Sequence, residues 1–138
     1  MTDAIRYALG EIPALEQLSG LYKSVSWSQA DCPDDLHKAV EHSQWVATAW
    51  HAEQLVGMSR VLTDGVFIAC LQDFVVHPEY RHQGIGKELL NMFDETFGEF
   101  HQQFAMVDSD WAKTKFEKRG FHTEPAAVSR TRPLSVCP

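Results

Sequence analysis

Apolar residues recur along this 138-residue chain in two rhythms, the steps of three and four that mark helices and the alternation that marks half-buried strands. Ala4 to Leu9 alternates well enough for a first strand, closed by Gly10. Pro13, tolerated in a first helical turn, precedes Leu15, Leu18, Leu21 and Tyr22, which predicts a helix to about Lys23. A second helix, about Asp34 to His42, opens on Pro33 with two early carboxylates that complement its dipole. Gln44–Ala52 and Leu55–Leu62 read as strands joined tightly through Glu53-Gln54. The turn Thr63-Asp64-Gly65 leads into Val66–Val76, apolar on both faces as a central strand should be, and Pro78 ends it. Ile85, Leu89, Phe93 and Phe97 then mark the strongest helix of the chain, with Leu90, Met92 and Phe100 widening its stripe. Phe104–Val107 reads as a short strand and Trp111–Arg119 as a helix with Gly120 at its C-terminal end. Phe121–Thr123 and Val128–Thr131 read as two closing strands around Pro125. The order βααβββαβαββ describes one α/β domain over residues 1–138, with a mixed, mostly antiparallel sheet flanked by about four helices.

A composition of 44% hydrophobic and 11% aromatic residues argues for a packed core and against disorder. No run approaches the ~20 apolar residues of a membrane span, so no membrane partner is expected. Met1 to Gly10 contains Asp3 and Arg6 and lacks the long apolar stretch of a secretory signal. Twelve basic residues against nineteen acidic ones give a net charge of −7, which opposes nucleic acid or anionic lipid as a partner and suits a cationic small molecule. Cys32, Cys70 and Cys137 are odd in number and form no Cys-x-x-Cys pair; the expectation is three free thiols in a reducing cytoplasm. The scattered histidines supply no metal-ligand set.

The stretch Gln72 to Leu90 carries the chemistry. It reads strand, turn with Arg81-x-x-Gly84-x-Gly86, then helix. A helix start offers N–H groups without internal partners, and glycines let a diphosphate approach them. Arg81 and Lys87 add positive charge in an otherwise acidic protein. A dinucleotide fingerprint would need a third Gly or Ala near Leu89. A P-loop would need Gly at Arg81 and Ser or Thr at Glu88, so both alternatives fail. Glycine spacing by itself also fits an ordinary helix-entry turn.

The whole segment resembles motif A of the GCN5-related N-acetyltransferases (GNAT), in its Asp-Phe-Val-Val strand, its Val-His-Pro-Glu-Tyr turn and its Arg81-His82-Gln83-Gly84-Ile85-Gly86 loop. Lys115-Phe116-Glu117-Lys118-Arg119-Gly120-Phe121 is similar to the family's Phe-Tyr-Glu-x-x-Gly-Phe block, and the element order agrees from Ile5 to Arg132. Arg60–Gly65 and Leu21–Trp27 resemble a bacterial branch of small members. The resemblance implies transfer of an acetyl group from acetyl-CoA to an amine, with no metal, and a homodimer as one assembly state. It implies that Phe74, Val75 and Val76 hold the pantetheine arm, beside a bulge. It further implies that backbone amides of Arg81, His82, Gln83, Gly84, Ile85, Gly86 and Lys87 hold the diphosphate. The cofactor would enter where Gln72–Val76 splays from Phe104–Val107.

Attack by an amine needs a proton acceptor, and the departing thiolate can use a donor. Asp73, near the expected bulge, is the first candidate base and His77 the second; each also reads as a structural residue. The family's usual general-acid Tyr is replaced by Phe116, which leaves Ser109, Tyr22 or Tyr80 as substitutes. Phe116 also supports an alternative, a non-catalytic acyl-CoA-binding module. For the acceptor, Tyr22, Trp27 and Asp31, with Asp34 and Asp35 nearby, combine aromatic faces and carboxylates that suit an ammonium. The short basic face Lys113, Lys115, Lys118 and Arg119 is a candidate contact for the 3′-phosphate of CoA.

Overall fold

The computed structural model describes residues 4–123 and 127–134. Five strands, β1 (Ile5–Leu9), β2 (Trp45–His51), β3 (Gln54–Thr63), β4 (Ile68–Val76) and β5 (Gln102–Ala105), form one sheet in sequence order. The first four pair antiparallel, while β5 lies parallel to β4 after a helical crossover. Helices α1 (Leu15–Ser24) and α2 (Pro33–Glu41) cover one face. Helices α3 (Ile85–Phe97) and α4 (Asp110–Glu117) cover the other.

The helices form where periodic apolar residues can be buried. In α3, Ile85, Leu89, Leu90, Phe93 and Phe97 are all buried against Ala47, Ala49, Val56 and Leu71 of the sheet. Each such side chain contributes about 1.5–3 kcal/mol by leaving water. On the opposite face Leu18, Leu21, Tyr22, Leu36 and Val40 meet Val46, Leu55, Met58 and Val75. Pro33 starts α2 at a position where its missing N–H costs nothing. Arg119, just beyond α4, ties that helix to α3 by donating to Asp94, Asn91 and the Lys87 carbonyl.

The alternation of β4 changes phase at one point. Arg60 pairs with Asp73 but Val61 pairs with Leu71, so Gln72 is an extra, bulged residue. Ala69 and Leu71 face α3 before the bulge, and Phe74 and Val76 do so after it. The intervening Asp73 and the following Val75 point toward α1.

Four expectations are corrected. β4 starts at Ile68 rather than Val66, because the Asp64 carboxylate accepts the N–H groups of Val66, Phe67 and Ile68 and extends the turn. β5 runs Gln102–Ala105 rather than Phe104–Val107. Neither Phe121–Thr123 nor the residues 127–134 form a strand: Phe121 packs into the core on Phe93 and Phe116, and Val128 is fully exposed. Pro125 lies outside the described residues. Cys32 is disulfide-bonded, whereas Cys70 is a free thiol that burial makes harder to ionise. Sequence spacing does not report which cysteines the fold brings together. Among the described residues no helix is long and apolar enough to cross a membrane.

Candidate active site

Strands β4 and β5 pair from Ile68–Leu71 against Gln102–Ala105, with one further bond from Met106 N–H to the Leu71 carbonyl. Beyond the bulge they part. A cleft of about 290 Å³ opens there, lined by Ser24–Trp27, Phe74, Val75, Pro78, Arg81 and the segment Asp108, Ser109, Trp111, Ala112. Trp27, Phe74, Val75, Arg81 and Ser109, which the sequence marked separately, meet in this one space.

Below the cleft, α3 begins without a side-chain cap. Gly84 takes a left-handed conformation with φ +84°, and Glu88 N–H makes the first intrahelical bond, to the Gly84 carbonyl at 3.0 Å. The N–H groups of Ile85, Gly86 and Lys87 consequently have no acceptor among the described residues. His82 is also left-handed, with φ 66°. His82, Gln83 and Gly84 are exposed there. A Cβ at Gly86 would stand 3.2 Å from Phe74 Cζ, so a larger residue there would have to push the Phe74 ring aside by a few tenths of an ångström. Arg81 N–H differs from the other loop amides, since it already donates to the Pro78 carbonyl at 3.4 Å. The donor set of the loop therefore fits a diphosphate without Arg81 N–H. The Arg81 side chain lies over the Trp111 ring, 4.2 Å from its centre, and Nε donates to the Val76 carbonyl at 3.2 Å.

The three proton-transfer candidates are each engaged in the protein. Asp73 is 5% exposed; its Oδ2 accepts the Tyr22 hydroxyl and Arg60 Nε, both at 2.6 Å. Burial, then the Asp73 charge, hold the Tyr22 hydroxyl well above its ordinary pKa. Burial, the largest single influence on Arg60, opposes its charge, but Asp73 and Tyr22 together raise that pKa too. His77 Nδ1 accepts Glu79 N–H and starts a short turn, with its ring edge-on to Tyr80. Ser109 caps α4 by accepting Ala112 N–H at 3.2 Å. Tyr80 donates toward Gln54 and shares a 2.9 Å contact with His51 Nδ1.

The acceptor candidates separate. Trp27 lines the cleft, and its Nε1 donates to Asp108 across it. Tyr22 lies fully buried behind Trp27, edge to face at 5.3 Å, with no surface in the cleft. Asp31 is exposed on the neighbouring turn and does not line the cleft. Sequence reasoning missed Asp108, the one carboxylate in the lining, and Trp111, which it placed only at the start of a helix. Asp108 stands beside Ser109, but nothing in its local sequence announces a position facing Trp27, 81 residues away. Phe116, 2% exposed, packs on Phe74 and Phe121 and is not part of the lining.

The comparisons agree with this geometry. A sequence profile described as "Acetyltransferase (GNAT) domain" matches residues 41–123. An uncharacterised N-acetyltransferase, ycf52-like, from Prochlorococcus marinus is 28% identical over 95 residues, covering 64% of this chain and 52% of that protein. The ycf52 counterpart from Gracilaria tenuistipitata is 27% identical over 119 residues, covering 83% and 65%. The chain thus spans between half and two thirds of the length of these relatives. Among solved structures, a GNAT-family acetyltransferase from Streptococcus pneumoniae superposes with a TM-score of 0.74 at 27% identity, over 93% of this chain and 100% of that one. Bulged strand, glycine loop and profile match converge, and the chain belongs to the GNAT acetyltransferase family.

Proposed function

We propose that this chain moves an acetyl group from acetyl-CoA to a primary amine, on a small molecule or an exposed protein side chain, by direct attack on the thioester. The parting of β4 from β5 past Leu71 carries the reading, because it opens a cleft along Phe74 and Val75 beside Arg81, and α3 starts four residues further on with its first amides unmet among the described residues. In this reading the amides from His82 to Lys87 take the diphosphate, and the free edge of Phe74–Val76 lies along the pantetheine arm. The Val76 carbonyl already receives Arg81 and the Val75 backbone pairs with Met58, so the arm relies on Phe74 and the Val76 N–H unless Arg81 moves. Trp27 and Asp108 face the same space and suit a cationic acceptor.

The proton leaves the amine through water, because the carboxylate of Asp73 is committed to Tyr22 and Arg60. The thiolate leaves without a side-chain acid. An ordinary thiol pKa of about 8.5 makes it a tolerable leaving group, and the missing acid costs about 10²-fold in rate. A buried Phe116 also supports a second reading, a module that binds acyl-CoA without turnover. Amine-dependent release of free CoA across a panel of amines, corrected for the Cys70 thiol, tests the pair. Release that rises with amine concentration is expected. Binding of acetyl-CoA with no release for any amine favours the module.

A further inference from the structure

We propose that the indole N–H of Trp111 is a further donor in the diphosphate cradle, supplied to the start of α3 by α4. This rests on the acetyl-CoA reading and adds a residue to it. Nε1 of Trp111 is buried and has no hydrogen-bond partner among the described residues. Such a donor costs free energy for as long as it stays unmet. Trp45 Nε1 and Ser59 Oγ share that condition, but neither lines the cleft and they carry no such argument.

Three observations orient the Trp111 ring. It stacks on Phe74, 5.6 Å between centres and 13° from parallel, while Arg81 covers it. Its Cη2 and Cζ2 lie 3.8 and 3.9 Å from the point where Gly86 would carry a Cβ. In an indole, Cζ2 and Nε1 are both bonded to Cε2, so the unmet N–H lies close to the ring edge that meets Gly86. The free amides of Ile85, Gly86 and Lys87 start from the same place. An anion seated on them would draw the Arg81 guanidinium off the ring and meet the indole N–H from α4. A core tryptophan has no need of this arrangement.

Two measurements on the intact chain test it. In ¹H–¹⁵N spectra, CoA should move the Trp111 indole resonance downfield together with the amides of Ile85–Lys87. That resonance is identified by its absence from Trp111→Phe. The same variant keeps a ring against Phe74 and Arg81 but has no N–H. Its affinity for CoA by calorimetry should fall about tenfold, with the thermal stability of the unliganded protein equal to or above wild type. Backbone shifts with a stationary indole peak, or wild-type affinity in Trp111→Phe, overturn the assignment and leave the acetyl-CoA reading standing. A protein that takes up no CoA overturns both.

Discussion

On the α1 side of β4, Asp73, Tyr22 and Arg60 are buried together and every charge has a partner. On the other side of the same strand, three backbone amides and an indole N–H have none among the described residues. The two clusters are both polar and both held by the central strand, yet their hydrogen bonding is opposite. A closed cluster fixes architecture, because its groups are already satisfied and moving any of them exposes an unpaired charge. An open cluster at a cleft is what a ligand can complete. The contrast is what supports the proposal that the amine proton leaves through water and not to Asp73.

The largest effect is expected from breaking the closed cluster. Arg60→Met leaves Asp73 buried with only the Tyr22 hydroxyl, and should lower stability in urea unfolding by about 3–5 kcal/mol. A near-neutral result would mean that Asp73 finds water and that the cluster is not closed. Gly84→Val acts on the open side. It meets no atom within 4 Å but must hold φ +84°, a conformation that costs a branched residue about 1–3 kcal/mol. It should also weaken CoA binding at least tenfold by calorimetry, an effect Arg60→Met should not reproduce in its folded fraction.

Tyr22→Phe sharpens the comparison through pH. Tyr22 has its folded pKa raised above the unfolded value of about 10, so its contribution is full below that pH. Above it the unfolded chain releases a proton that the folded one keeps, and stability declines as pH rises toward the folded pKa. The variant should lose about 1–2 kcal/mol at neutral pH and reduce the alkaline slope, leaving the part due to Tyr7 and the Cys70 thiol. Ser109→Ala gives the smallest change, about 1 kcal/mol, from loss of the α4 cap. Ser109→Asp should restore both stability and rate. Recovered stability without recovered rate would assign the hydroxyl a part in the chemistry.

Much of the frame was readable from the chain. The stripe Ile85, Leu89, Phe93, Phe97 and the glycines at 84 and 86 are local signals, and they put α3 and its loop where they stand. The closed cluster was not readable as a cluster. Tyr22 and Asp73 were singled out for separate jobs, and only folding across 51 residues shows that they answer each other. Trp111 escaped for a related reason: an aromatic in a short basic helix looks like packing until its ring edge is seen against Gly86. Phe121 and Val128 misled in the opposite direction, since short apolar runs near a proline read as strands while one residue fills a core and the other stays in water.

The extra residue at Gln72 has a consequence for how this chain can change length. Side chains of a strand alternate, so parity decides which wall each one decorates. Excising Gln72 would close the bulge and keep both walls: Asp73 would follow Leu71 directly and still face α1, with Phe74 again beneath α3. Position 72 is therefore the place where this strand can shorten by one residue without exchanging its two walls.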